Sequence, residues 1–260
     1  MPERPPERSS ERSSEPSLRL YPPPAQIVGE AGIYSDLELP LPTSPGRPYV
    51  LINMVASVDG RSSVSGKASG IGGEADRRAM RQLRSKVDAV MVGAGTLRAE
   101  KLNLGLDGPD VRQPLAVVVG GSGPSPLAKL LVATSQDALL VIPEDPPRPS
   151  PKESAAGSKN LRVPTSGPGR VDLRALLEVL RSTHGVERLL VEGGPALNRA
   201  LIDESLADEL FLTVAPKLLS GDESAIVRGA CAGGEPRSLH LLSVHSAGDE
   251  LFLRYRLKDQ

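Results

Sequence analysis

Two glycine corners carry the spacing most able to do chemistry in this chain. In VGAGTLRAEKLNLG (92–105), an apolar run ends at Gly93, Gly95 and Thr96, and Arg98 follows. In LLVEGGPALN, a second apolar run ends at Glu192, Gly193 and Gly194, and Pro195 opens what comes next. Glycine at such a corner permits positive φ and lets backbone approach a ligand closely. The first corner departs from the dinucleotide fingerprint GxGxxG, because Arg98 stands in the third glycine's place. It reads either as a simple strand-to-helix turn or as an anion site. Arg98 argues for the second. In the first turn of the following helix, a cation is unfavourable by about 0.3–1 kcal/mol unless an anion offsets it. A phosphate there would satisfy free backbone N–H groups, the Thr96 hydroxyl and the guanidinium together. If the two strands are neighbours, both corners face one cleft, which suits a diphosphate.

Other polar residues sit near the same ends. Asn53 interrupts an apolar strand, and a buried amide needs partners, either backbone or ligand. Ser57 and Asp59 precede Gly60 and read either as turn chemistry or as substrate contacts. Arg77 and Arg78 open the next helix, where a solvated face is the alternative to a ligand contact. Glu192 is a hydrogen-bond acceptor for an amino-heterocycle or for nearby backbone N–H groups, and Glu100 carries the same ambiguity. His184, His240, His245 and Cys231 show no zinc-ligand spacing. Neither a GxSxG elbow nor a GxxxxGK[ST] loop occurs. With no metal motif and no evident nucleophile, a bound cofactor has to carry the chemistry.

The elements that must position these residues alternate. PYVLINMVASVDG, DAVMVG, PLAVVVGG, ALLVIP, VERLLVEGG and ADELFLTVAPKLL read as strands. GGEADRRAMRQLRSKV reads as a helix with acidic residues early and basic ones late. RVDLRALLEVLRSTHG is a helix with Asp172 as N-cap and Gly185 at C′, and PALNRALIDESL is a helix with Pro195 in its first turn. LHLLSVHSAGDELFLRYRL is a closing hairpin. The alternation predicts one α/β domain over 21–260 with a mostly parallel sheet and antiparallel strands at one edge. Residues 143–169, rich in Pro, Ser and Gly, are expected as a long surface loop. Residues 1–20 are expected as a disordered tail, since MPERPPERSSERSSEPS has nothing to bury.

Composition narrows the function classes. The 260 residues carry 31 basic and 32 acidic side chains, a net charge of −1, which offers no electrostatic case for nucleic acid or an anionic membrane. No apolar run approaches the roughly 20 residues of a membrane span. The single cysteine cannot form an intramolecular disulfide, which fits a cytoplasmic location.

Taken in order, PYVLINMVASVDGR, DRRAMRQLRSKVDAVMVGAGTLRAE, LLVEGGPALNRALID and DELFLTVAPKLLSG resemble the riboflavin-biosynthesis reductase family, the RibD C-terminal domain type. The resemblance covers about residues 47–257. It implies a dihydrofolate-reductase-like three-layer α/β/α fold and an NADPH-dependent reductase. The family's usual substrate is 5-amino-6-(5-phosphoribosylamino)uracil, a phosphorylated aminopyrimidine whose ribose is reduced to a ribityl chain. A cofactor side is implied at Ser57, Gly93, Gly95, Thr96, Arg98, Gly193, Gly194 and Leu197, with Ser122 at the adenosine 2′-phosphate. A substrate side is implied at Asn53, Ser57, Asp59, Arg77, Glu100 and Glu192, of which Asn53, Asp59 and Glu192 are the catalytic set. The resemblance also implies a homodimer, with the DELFLTVAP strand as contact. The chain departs from the pattern at Asn53, where many members carry lysine, at Glu100, which replaces an aspartate, and at Asp107, where an arginine is common. These departures bear on the substrate. The alternatives are a reductase of another pterin-like or carbonyl compound and a non-catalytic nucleotide-binding protein.

Overall fold

A computed structural model of the chain describes residues 16–29, 32–42, 44–100, 103–108, 110–120, 136–144, 158–221, 225–228 and 236–257. Strand β3 (Tyr49–Ser57) runs through the middle of an 11-stranded sheet. Its apolar sequence is buried on both faces because helices cover both sides. One face of β3 sends Tyr49 and Leu51 into a cluster with Ala79 and Leu83 of α1 (Glu74–Arg84) and Leu97 of α2 (Ala94–Glu100). The other sends Val50 and Ile52 towards Leu176, Leu177 and Leu180 of α3 (Leu173–Ser182) and Leu201 of α4 (Pro195–Asp203). This is the expected three-layer α/β/α arrangement.

On one side of β3 lies β10 (Arg188–Val191), followed by β4 (Ala89–Gly93), β5 (Leu115–Val119), β6 (Ala138–Pro143) and β7 (Ser158–Val163), all in parallel register. On the other side β11 (Glu209–Ala215) is parallel to β3. Beyond it the sheet turns antiparallel through β13 (Glu250–Leu257), β12 (Leu239–Ala247), β1 (Leu18–Tyr21) and β2 (Gln26–Ile27). A separate ribbon pairs β8 (Thr165–Gly167) with β9 (Arg170–Val171). Asp172 caps α3 as its sequence implies, accepting the Ala175 N–H at 3.0 Å. Gly185 adopts φ +65° just beyond the helix end, one place later than C′, since Thr183 is the C-cap.

Three expectations are corrected. Leu18–Tyr21 is a strand, so the boundary of the tail at residue 20 is too late; residues 1–15 lie outside the described residues. The stretch 143–169 is not one loop, since Ser158–Val163 extends the parallel sheet beside β6 and Thr165–Gly167 belongs to the ribbon. Alternating polar residues hid β7, as an edge strand needs no continuous apolar run. The DELFLTVAP strand is β11, flanked by β3 and β13, so it has no free edge for a second subunit.

Candidate functional site

The parallel strands β3, β10 and β4 are neighbours, and all end on the same edge of the sheet. The Gly93 N–H donates to the Gly193 carbonyl at 2.8 Å, which joins the two corners directly. The peptide between Gly193 and Gly194 is cis, and Gly193 has φ +90°. A Cβ on Gly194 would stand 2.5 Å from Thr96 Oγ1, and one on Gly93 would stand 3.5 Å from the Gly194 nitrogen. A side chain at Gly194 would therefore have to displace the Thr96 hydroxyl, while one at Gly93 would only reach ordinary contact with the second corner. Gly95 differs: a Cβ there would meet no protein atom within 4 Å. Packing does not demand that glycine, and its backbone faces open space. Leu197 lies partly buried beneath, packed on the α3–α4 cluster.

Arg98 does not lie where the sequence argument put it. The helix begins at Ala94, directly after the strand, so Arg98 is in the last turn of a seven-residue helix and is exposed. There a cation is favoured by the helix dipole and calls for no anion. The anion-site case now rests on the glycine corners and Thr96. Ser122 and Cys231 lie outside the described residues.

The substrate-side candidates separate into two groups. Asn53 and Glu192 converge. Val191 pairs with Ile52, so the residues that follow them, Glu192 and Asn53, lie side by side on the α1 face. Both are half-buried. Glu192 is not free to receive only backbone or ligand donors. Arg84 Nε and Nη2 grip its two oxygens at 2.7 Å each, with side-chain exposures of 5% and 9%. Burial opposes the Arg84 charge, but the Glu192 carboxylate outweighs it and holds the guanidinium above its ordinary range.

The second group spends its polar atoms on turns. The Ser57 hydroxyl donates to Asp59 Oδ1 at 2.6 Å and accepts the Arg61 N–H at 3.0 Å. Asp59 also accepts the Leu219 and Ser220 N–H groups. The Ser57 hydrogen bond first, then these two amides, lower its carboxyl to about 2. In the structure Ser57 and Asp59 tie two loops together, so the turn chemistry that the sequence allowed for both is present. Glu100 likewise accepts the Ala68 N–H at 3.0 Å. Arg77 is exposed on α1.

Two residues were missed. Arg84 and Asp76 lie eight apart on α1, so helical periodicity places both on its sheet-facing side, and that spacing was available in the sequence. Asp76 takes a hydrogen bond from Thr213 of β11. Burial first, then the nearby Glu250 and Glu192 carboxylates, raise its pKa, while the Thr213 bond and Arg77 act the other way. The edge thus joins a backbone cradle at the glycines to a polar face formed by Asn53, Glu192, Arg84 and Asp76. A cradle of this kind can take a diphosphate, and the polar face a hydrogen-bonding heterocycle beside it.

Comparison with known proteins identifies the family. The family model described as "RibD C-terminal domain" matches residues 48–252. A protein of Methanothermobacter thermautotrophicus named 2,5-diamino-6-ribosylamino-4(3H)-pyrimidinone 5′-phosphate reductase is 30% identical, over 82% of this chain and 99% of its own length. One of the same name from Archaeoglobus fulgidus is 35% identical, over 70% of this chain and 86% of its own. Among solved structures, Acinetobacter baumannii RibD aligns with a TM-score of 0.68 at 24% identity, covering 82% of this chain and 59% of that one. The chain spans about half the length of the curated RibD proteins it matches.

Proposed function

The chain belongs to the RibD C-terminal domain family, the riboflavin-biosynthesis reductases of dihydrofolate-reductase-like fold, and from that membership we propose that it is an NADPH-dependent reductase of a 6-ribosylamino-pyrimidine 5′-phosphate. Its oxidoreductase class and its nucleotide cofactor follow from the family. NADPH as that nucleotide, and the roles of individual residues, are part of the proposal. The observation that carries it is the hydrogen bond between Gly93 and Gly193, which brings both bare corners to one place.

The glycine cradle fits the cofactor. Gly93, Gly193 and Gly194 supply backbone without side chains along one path, and Thr96 adds a hydroxyl to it. When bound, NADPH supplies the hydride that reduces the sugar C1. The chain's own residues bind and orient. Asn53 can both donate to and accept from a pyrimidine edge, and the Glu192 carboxylate accepts from its N–H groups. Alignment of this kind is the main contribution of a protein whose cofactor carries the reactive atom.

The family resemblance implies the uracil form, 5-amino-6-(5-phosphoribosylamino)uracil. A second reading is the 2,5-diamino form, favoured by the names of the archaeal relatives. The two differ at one ring substituent and share the ribosylamino phosphate that is reduced. Adding each compound to the protein with NADPH and following the loss of NADPH absorbance decides between them. Turnover of either supports the reductase reading. NADPH binding without turnover of either returns the protein to another substrate or to a nucleotide-binding role. A homodimer belongs to the same proposal. Exposed Leu20, Leu239 and Leu251 on the antiparallel strands offer surface for it, and sedimentation reads it.

A further inference from the structure

A third glycine pair lies on this edge of the sheet, and the chain fills it with its own carboxylate. Gly72 and Gly73 precede α1, and Gly73 is the N-cap residue, with no side chain to cap the helix. Glu250, the first residue of β13, does so from the sheet. Leu251 pairs with Val214, so Glu250 stands at the carboxyl end of β11. It is 6% exposed; its Oε1 accepts the Gly73 N–H at 2.7 Å and its Oε2 the Asp76 N–H at 3.3 Å. A Cβ on Gly73 would stand 3.1 Å from Glu250 Oε2, and one on Gly72 would collide with the Asp76 carboxylate. A helix N-terminus favours an anion through its free amides and its dipole. Here the anion arrives from 177 positions away.

This long-range cap decides where Asp76 points. Asp76 is the third residue of α1, a position from which a side chain can reach back to the N-cap N–H. Glu250 already holds that N–H, and Asp76 bonds Thr213 of β11 instead, near Glu192. We propose that Glu250 is a positioning residue for the pyrimidine half of the site: it ties the first turn of α1 to the β12–β13 hairpin and keeps Asp76 turned towards the sheet. The proposal rests on the reading that the pyrimidine lies on the α1 face. It is directional, because the Glu250 carboxylate bonds the first turn of α1 and neither corner of the glycine cradle.

The test uses the full chain with Glu250→Ala, alone and combined with Gly73→Ser. Gly73 has φ −91° and ψ −157°, extended backbone that suits a serine N-cap, and truncating Glu250 clears the space its Cβ needs. Glu250→Ala is expected to raise KM for the pyrimidine on the order of 10-fold, as displacement of a positioning element does. The NADPH dissociation constant should stay within about twofold. Adding Gly73→Ser should restore most of the lost melting temperature and leave KM raised, since a local cap serves the amides without tying helix to hairpin. An unchanged KM in Glu250→Ala, an equal loss of NADPH binding, or a KM restored together with the melting temperature overturns the proposal. Amide hydrogen exchange without ligands gives a readout independent of turnover. Glu250→Ala should speed exchange at Gly73 and Asp76 about tenfold, as loss of a hydrogen bond to a charged acceptor does. Unchanged exchange in the folded variant overturns the anchor. If Glu250→Ala does not fold, Glu250→Gln keeps an oxygen for one amide only and should speed exchange at the other; no change at either overturns it equally. Faster exchange in a protein whose wild type turns over neither pyrimidine overturns the functional reading and supports the anchor.

Discussion

The two ends of the parallel strands use charge in opposite ways. At the amino ends, Asp208 receives Arg47 on both oxygens and the Val50 N–H as well, each at 2.7 Å. Asp88 accepts the Glu187 and Arg188 N–H groups at 3.0 Å each, and Arg112 lies on its other oxygen. Arg188 in turn donates to the carbonyls of Leu39 and Pro40. A cavity of about 470 Å³ opens at this end, lined by Leu37, Asp88, Arg112 and Arg188 among others. Its Asp88, Arg112, Arg188, Ser85 and Lys86 are nonetheless engaged with the chain itself. At the carboxyl ends, glycines leave backbone bare, a buried guanidinium holds a carboxylate at the site, and Asp76 sits among other acids with its pKa raised. Hollow space does not mark the working end. Exposed backbone and polarity kept at a cost distinguish the end at which the site is proposed, as expected for an open α/β sheet.

The sharpest way to break this contrast is at Gly194. Gly194→Asp puts a carboxylate into the proposed diphosphate path, and NADPH affinity should fall on the order of 100-fold, about 2.7 kcal/mol. The backbone there has φ −78°, so the conformation itself tolerates a side chain. The obstacle is Thr96 Oγ1, 2.5 Å from the new Cβ. Gly194→Ala should therefore weaken binding less than Asp does. Titration of NADPH by fluorescence measures both. Equal affinity for wild type and Gly194→Asp would remove the cradle from the site.

These corners were legible in the sequence because strand, glycine and helix follow one another within a few residues. So were the order of the central elements and the closing hairpin. Three things were not. Arg98 was placed in a first turn because the helix was expected to begin after Gly95, and its true start at Ala94 moves Arg98 to the other end of a short helix. Ser57 and Asp59 have the composition of a ligand site and of a turn alike. The Leu219 and Ser220 amides, 160 and 161 positions away from Asp59, give it a turn role that no local pattern announces. The Arg84–Glu192 pair spans 108 positions, and nothing local announces such a partner. Local patterns thus fix elements and corners, while side-chain roles depend on which distant group arrives.

The amino end offers the complementary test. Asp208→Ala strips partners from a half-buried guanidinium and from the Val50 amide. It should cost about 2–3 kcal/mol, or roughly 5–10 °C in melting temperature. Because this carboxylate lies at the opposite end from the glycines, kcat/KM and NADPH affinity should stay within about twofold of wild type at a temperature where both are folded. A loss of turnover as large as that of Gly194→Asp would show that the two ends are not separable.

Asp76→Asn should produce the smallest effect, and of opposite sign. The fold favours the protonated form of Asp76, since burial and the neighbouring carboxylates raise its pKa above 3.8. The stability this group contributes is therefore present below about pH 3.8 and is lost as pH rises through the raised folded value. An asparagine keeps an oxygen for the Thr213 hydroxyl and carries no charge to bury. The variant should melt higher than wild type at pH 7 by roughly 1–3 °C. That gain should shrink towards zero as the pH falls through the raised folded value and the wild-type carboxyl takes up its proton. Melting curves across this range read the sign directly. A variant less stable than wild type at pH 7 would mean that Asp76 is answered as fully as Asp208, and the contrast between the two ends would then rest on the glycines and Arg84 alone.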